Sequence, residues 1–222
     1  MESPETKASP EDAARDEAGD NAALLDAQAL LLKATELAWL WHGHQTRKGK
    51  PTSYMSHLLQ VQGLVLDCGG GPDEAIAALL HDSLEDAENP AERSRREEEI
   101  GTLFGASALR IVLDCTDTTA AEAGQTKGPW RERKERYLAQ LRGAEPSSLL
   151  VAACDKRHNL GDLVLDLRHE GLETLSRFNA DGPGQVWYYE SVVAVCRPAV
   201  PARLAMELDE LVRELTSFIE RS

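Results

Sequence analysis

Apolar side chains recur three or four positions apart along most of the chain and alternating strand patterns are absent, so helices are predicted. The first stripe, Leu24, Leu25, Leu31, Leu32, Leu37, Ala38 and Trp41, predicts a helix over residues 24–48, with Gly49 and Pro51 as its stop. Ser53 is placed to cap a second helix through Tyr54, Leu58, Val61, Leu64 and Val65, which Cys68-Gly69-Gly70-Gly71-Pro72 ends. Ile76, Ala77 and Leu80 give a third over residues 73–82. A charged stretch follows before periodicity returns at Leu109, Val112 and Leu113, after Phe104-Gly105. Residues 118–129 are rich in Thr, Ala and Gly and end in Gly128-Pro129, which predicts a mobile loop. Trp130 opens a helix bearing Tyr137, Leu138 and Leu141; residues 148–169, stopped by Gly171, form the longest one, and residues 202–219 the last. With no internal repeat, the fold class expected is all-α, built by helix packing.

Composition narrows the picture. At 222 residues and 24.3 kDa the chain suffices for one sizeable core, read as a single domain over residues 22–222. Residues 1–21 hold Pro4, Pro10, Gly19 and many acids with almost no large apolar side chain, and are expected to be a disordered acidic tail. An excess of 38 acidic over 24 basic residues gives a formal charge of −14, which argues against nucleic acid or anionic membrane as partners, because clustered cations hold those. An anionic ligand therefore needs a local basic patch. Cys68, Cys115, Cys154 and Cys196 form no CxxC pair and read as reduced, mostly buried thiols. No run approaches the roughly 18 apolar residues of a membrane span, and the N-terminus lacks the basic-then-apolar order of a secretion signal. A soluble, cytoplasmic protein is expected, its oligomeric state unknown.

The richest segment is Ala77-Ala78-Leu79-Leu80-His81-Asp82-Ser83-Leu84-Glu85-Asp86, where an apolar helix ends in one imidazole and three carboxylates. Such groups are costly in apolar surroundings unless partnered. Neighbours on a helix point about 100° apart, so His81 and Asp82 converge only on something lying between them, such as a metal ion. If helical geometry continues, Glu85 lies on the same side, placed to take a proton from a bound water. Taken alone, the pair is better explained by a ring bonded to a backbone carbonyl and a solvated helix end. Asp155 follows Val151-Ala152-Ala153-Cys154 and needs a cation, either a metal or an Arg or Lys of a neighbouring helix; Asn159 and Asp162 continue its stripe. His57 sits on an otherwise apolar helix, where a lone histidine is more often a core residue than a ligand. Together His57, His81, Asp82 and Asp155 offer two imidazoles and two carboxylates from three helices, a set suited to Mn²⁺, Fe²⁺ or Zn²⁺.

Arg47-Lys48-Gly49-Lys50 concentrates positive charge at the predicted end of the first helix, where it either opposes the macrodipole or clamps phosphates. Lys127, Arg131, Arg133, Lys134 and Arg136 form a second basic cluster. Gly69-Gly70-Gly71 lacks a following Lys-Ser/Thr and reads as a turn, and His42 and His44 point to opposite sides of a helix. Trp187-Tyr188-Tyr189 reads as core rather than as a stacking platform.

The segments His42-Gly43-His44-Gln45-Thr46-Arg47-Lys48, Tyr54-Met55-Ser56-His57, His81-Asp82-Ser83-Leu84-Glu85-Asp86 and Asp155-Lys156-Arg157-His158-Asn159-Leu160 follow one another within residues 25–165. In this the chain resembles the small alarmone hydrolases, stand-alone HD-domain hydrolases akin to the hydrolase half of the bifunctional RelA/SpoT enzymes. The resemblance implies an HD-domain helical bundle in which His57, His81, Asp82 and Asp155 bind Mn²⁺ and Glu85 and Asp86 serve the hydrolytic step. It further implies that Arg47 and Lys48 contact phosphates and that Tyr54 and Asn159 lie where the nucleoside is held. The implied partner is a small nucleotide, and the implied activity is removal of the 3′-pyrophosphate of (p)ppGpp to give GDP or GTP, by a chain too short for a synthetase. Leu58-Leu59 stand where long members have Pro, Arg157-His158 replaces an apolar-aromatic pair, and the 118–130 loop and the segment with Phe178-Asn179 exceed the shortest members. An adenosine alarmone or NADPH stays open as substrate. So does a nucleotide-sensing module without turnover, although neither Glu85-Asp86 nor any ligand position is eroded.

Overall fold

Proline and glycine punctuate the chain where its helices start and stop. In the computed structural model, which describes residues 10–126 and 128–221 and side chains from residue 24 onward, the helices are α1 (Pro10–His42), α2 (Met55–Asp67), α3 (Pro72–Leu80), α4 (Pro90–Cys115), α5 (Trp130–Arg142), α6 (Pro146–Glu170), α7 (Gly182–Cys196) and α8 (Ala202–Glu220). Short 3₁₀ helices lie at Ala120–Glu122, Gly171–Arg177 and Arg197–Ala199. No strand forms among the described residues; a single isolated bridge pairs Thr46 with Ser53. The fold is all-α, as expected. Proline opens α3, α4 and α6, where its missing N–H leaves no hydrogen bond unmade. None of these helices is long and apolar enough to cross a membrane.

Two helices form the interior. Every residue of α3 from Ala75 to Leu80 is buried, because α1, α2, α4 and α6 all pack on it. Helix α6 is covered in turn by α2, α4, α7 and α8, and its residues 148–155 are all buried. Helices enclosed on all sides read as apolar runs rather than stripes, and polar groups within such runs must find partners inside the protein.

Several boundaries differ from the sequence expectation. Residues 10–21, expected to be disordered, belong to α1, while residues 1–9 lie outside the described residues. Ala13, Ala14, Glu17 and Ala18 are strong helix formers, and local propensity accounts for the helical backbone there. At its other end α1 stops at His42 rather than residue 48, and residues 45–54 turn back on themselves through Arg47 N to Thr52 O at 2.8 Å and Tyr54 N to Gln45 O at 3.0 Å. Arg47 and Lys48 therefore sit on a loop, and the helix macrodipole does not account for them. Of the predicted α1 stripe, Leu37, Ala38 and Trp41 are buried, but Leu24, Leu25 and Leu32 are exposed. Ser53 does not cap α2: Tyr54 takes that position and the Ser53 hydroxyl has no partner among the described residues.

The charged stretch after residue 86 contains the first half of α4. Asn89 caps it by accepting from Glu92 N at 2.9 Å, and the helix bends at Gly105 (φ 85°, ψ 174°), backbone that only glycine adopts readily. Its charges hid it, because two of them point inward. Arg93 is buried and donates to Thr118 O at 2.9 Å, and Arg96 is buried and donates to Ser83 O at 2.6 Å. The Arg93 contact also tethers the 118–129 loop at Thr118, and the loop presses back so closely that a Cβ on Gly124 (φ 69°) would lie 1.8 Å from Glu88 O.

Candidate metal centre

Helix α2 carries His57, the turn after α3 carries His81 and Asp82, and the middle of α6 carries Asp155. Their tips converge. His57 Nε2 lies 3.3 Å from His81 Nε2, 3.3 Å from Asp155 Oδ1 and 3.7 Å from Asp82 Oδ2. His81 Nε2 lies 3.0 Å from Asp82 Oδ2 and 3.6 Å from Asp155 Oδ1. The ligand atoms of His57, His81 and Asp155, all three buried, fall within 4.8 Å of one another. Each group is also held from behind. His81 Nδ1 donates to Ala78 O at 2.8 Å, which leaves the Nε2 lone pair facing inward. Tyr54 donates its hydroxyl to Asp82 Oδ2 at 2.5 Å, Asn159 Nδ2 donates to Asp155 Oδ1 at 2.5 Å, and Lys156 Nζ pairs with Asp155 Oδ2. Two inward imidazole nitrogens and two carboxylate oxygens fit a borderline divalent cation such as Mn²⁺, Fe²⁺ or Zn²⁺.

Burial works against every charge here, and mutual attraction overcomes it. The His81 ring is raised well above its usual range by Asp82 and Asp155 despite complete burial. Burial likewise opposes ionisation of both acids, yet His81 holds Asp82 well below the carboxylate range, and Lys156 and His81 do the same for Asp155. The cation that Asp155 needed is thus in part its own helical neighbour.

The chain continues one turn beyond α3, with Ser83 N on Leu80 O at 3.0 Å and Asp86 N on Asp82 O at 3.1 Å, and Arg96 pins that turn through Ser83 O. Glu85 consequently reaches the wall of an adjoining cleft. Asp86 turns toward His42, whose Nδ1 lies 3.7 Å from Asp86 Oδ2 and 2.8 Å from Gln45 Oε1. Arg47, Lys48, Tyr54 and Asn159 all line the same cleft. Arg47 donates to Asn159 Oδ1 at 2.7 Å and Asp162 Oδ2 at 3.2 Å, so the stripe Asp155-Asn159-Asp162 joins the metal ligands to the cationic loop.

The cleft measures about 350 Å³, and Arg47, Lys48, Lys50, Arg133, Lys134, Lys156 and Arg177 line it together with only three acids, Glu85, Asp162 and Asp166. An acidic protein has gathered its local basic patch. Helices α5 and α7 supply the far wall, with Trp130, Gln185, Tyr188 and Tyr189; the last two are core residues and cleft residues at once. Buried Asp117 organises it. Arg133 Nη1 sits 2.8 Å from both Asp117 oxygens and Lys134 Nζ 2.5 Å from one. Burial pushes the Asp117 carboxyl upward, but Lys134 and Arg133 outweigh it and bring it down to about 2. Elsewhere in the second basic cluster, Arg131 stacks on Trp187, Arg136 pairs with Glu122 at 2.9 Å, and Lys127 lies outside the described residues. Asp117 and Arg177 fell in no motif, while Lys156 and His158 stood inside the Asp155-to-Leu160 motif with no role assigned; Lys156 meets its neighbour Asp155, and His158 meets His57 of α2.

The HD domain family pattern matches residues 34–177, which include every one of the converging groups. The chain belongs to the HD domain family. Among HD-domain relatives, the zebrafish (Danio rerio) guanosine-3′,5′-bis(diphosphate) 3′-pyrophosphohydrolase MESH1 is 30% identical over 138 residues, 61% of this chain and 69% of its own length. A Streptomyces coelicolor GTP pyrophosphokinase is 30% identical over 129 residues; these are 58% of this chain but only 14% of that far longer protein. A solved structure of a metazoan ortholog of SpoT, described as hydrolysing ppGpp, superimposes with a TM-score of 0.65 at 25% identity, covering 84% of this chain and 95% of the other. A structure from Listeria monocytogenes shares the fold, with a TM-score of 0.56 at 21% identity over 74% of this chain and 99% of the other. The family match, MESH1 and the SpoT ortholog agree with the resemblance to small alarmone hydrolases read from the motifs.

Proposed function

We propose that the protein is a Mn²⁺-dependent hydrolase that cleaves the 3′-pyrophosphate from (p)ppGpp, yielding GDP or GTP and pyrophosphate and so lowering alarmone levels in the stringent response. One observation carries the reading: the ligand atoms of His57, His81 and Asp155 lie within 4.8 Å of one another with Asp82 3.0 Å from His81, directly behind Tyr54, Lys156 and Asn159 of a cleft rich in cations. The relatives named for ppGpp chemistry support the choice of nucleotide. When bound at these four residues, a divalent ion acidifies water and neutralises charge on the attacked phosphoryl group.

The chain's own residues do the rest. Glu85, on the cleft wall, orients the attacking water and takes its proton, a role worth about 10²–10⁴ in rate. Asp86 assists from the same turn, steadied by His42. Arg47 and Lys48 hold the phosphates, and their attraction is strengthened where water is excluded. Tyr54 and Asn159 have a double task, facing the nucleoside while their polar tips fix Asp82 and Asp155. Residues 22–222 act as one cytoplasmic unit in this reading, since α7 and α8, beyond the family match, pack on α6. The test is pyrophosphate release from ppGpp by the purified protein with Mn²⁺, run beside an adenosine alarmone and NADPH. Preferred turnover of ppGpp is the expected outcome. Faster turnover of another substrate would replace the nucleotide, and tight binding without release at any metal concentration would make the protein a sensing module.

A further inference from the structure

His57 and His81 present Nε2 to the same point, yet their far nitrogens are held differently. Behind His81 stands the Ala78 carbonyl, a backbone acceptor that no side-chain substitution removes. Behind His57 stands another side chain: His57 Nδ1 lies 3.0 Å from Nδ1 of His158, and the two rings meet edge to face with centroids 4.8 Å apart. We propose that His158 is a positioning residue whose Nδ1 accepts the Nδ1–H of His57 and so keeps the His57 Nε2 lone pair aimed at the divalent ion. The inference rests on the metal reading above.

Two imidazole nitrogens 3.0 Å apart share one hydrogen. Were it carried by His158, a neutral His57 would have its own proton on Nε2, pointed at His81 and Asp155 where the ion belongs. With the hydrogen on His57, Nε2 is free to coordinate, and neutral His158 carries its proton on Nε2. Local geometry holds the two rings in place for it. Asp155, His158 and Asn159 occupy consecutive turns of one α6 face, so a single rigid helix supplies a metal ligand, the partner of a second ligand and the amide that braces the first. His158 is only 7% exposed, and its ring packs on His57 rather than swinging in solvent. Outer partners of this kind fix the tautomer and direction of a ligating ring, and losing one typically weakens metal affinity about 10–100-fold.

Three substitutions separate this role from mere packing. His158→Asn puts a carbonyl oxygen two bonds from Cβ, where Nδ1 now stands; His158→Gln reaches instead to the place of Nε2; His158→Phe keeps a ring but offers no acceptor. Mn²⁺ titration of the metal-free full chain by calorimetry should give Asn close to wild type, with Phe and Gln weaker by about 10–100-fold. Packing alone predicts the reverse order, with Phe the mildest change. Thermal melts of the metal-free variants report the fold separately. As a second readout, long-range ¹⁵N–¹H spectra of the Zn²⁺-loaded wild type should show His57 protonated on Nδ1. Undiminished affinity in His158→Phe, Asn as weak as Phe, or a His57 proton on Nε2 would overturn the role of His158 while leaving the metal site intact. A wild type that binds neither ion would overturn the metal reading, and this inference with it.

Discussion

Asp117→Asn removes one charge and almost no volume at the point where the far cleft wall is assembled. In the folded protein the carboxyl is brought from an ordinary 3.8 to about 2 by Lys134 and Arg133. At about 1.4 kcal/mol per pKa unit, that preference for the ionised form stabilises the fold by about 2 kcal/mol at neutral pH. Its side chain is only 3% exposed, so solvent screening discounts little of this. Leaving two largely buried cations opposite a neutral amide raises the expected loss toward the 3–5 kcal/mol typical of a broken buried pair, so the variant should be roughly 2–4 kcal/mol less stable at neutral pH. The sign of the pH dependence follows from a depressed pKa: the contribution is fully present above the unfolded value and disappears as pH falls from about 4 to about 2. Urea unfolding of both proteins across the acid range measures the gap between them. It should be constant above about pH 5 and close progressively below about pH 4. A gap that stays the same throughout, or is absent at neutral pH, would refute the assignment of Asp117 as an ionised anchor. In turnover, loosened Lys134 and Arg133 should raise KM for the nucleotide while Mn²⁺ affinity stays put.

Glu85→Gln should bind Mn²⁺ normally and lose about 10²–10⁴-fold in turnover; near-normal rates would remove Glu85 from the chemistry. His57→Ala should lose the metal itself, and full manganese stoichiometry by elemental analysis would count against the site. Because Asp82 and Asp155 raise the His81 ring above its usual range, metal must displace a proton, so Mn²⁺ affinity should climb with pH. Calorimetry in buffers of different ionisation enthalpy would reveal the released proton, and identical heats would speak against it. Gly105→Ala should cost about 1–3 kcal/mol through backbone strain alone, since a Cβ there meets nothing within 4 Å. An unchanged melting temperature would show that α4 can straighten at the bend.

Much of this architecture was legible in one dimension. Helices α6 and α8 lie within two residues of their predicted ends, and α5 starts at the predicted Trp130, because each has a clear apolar pattern with Pro or Gly at one boundary or both. The four ligand candidates were visible as polar interruptions of apolar helices, and their convergence accounts for interruptions that would otherwise be costly. Less was legible around them. The first half of α4 was obscured by its own charges, since Arg93 and Arg96 are spent on carbonyls of other segments instead of on solvent. Arg47 and Lys48 were noticed but assigned to a helix end, where local propensity ran past the turn that Thr46 and Ser53 close.

Periodicity and residue type, which are local properties, were enough to specify an all-helical chain and the inventory of groups able to bind a metal. Which of those groups act together depended on contacts between residues far apart in sequence: His158 lies 101 positions from His57, and Arg47 lies 112 from Asn159. Asp117 became an anchor only when its loop was folded against α5, bringing it to Arg133 and Lys134. Hydrogen bonds and ion pairs act over a few ångströms, so their partners are set by how helices pack, and no pattern along the chain encodes that distance.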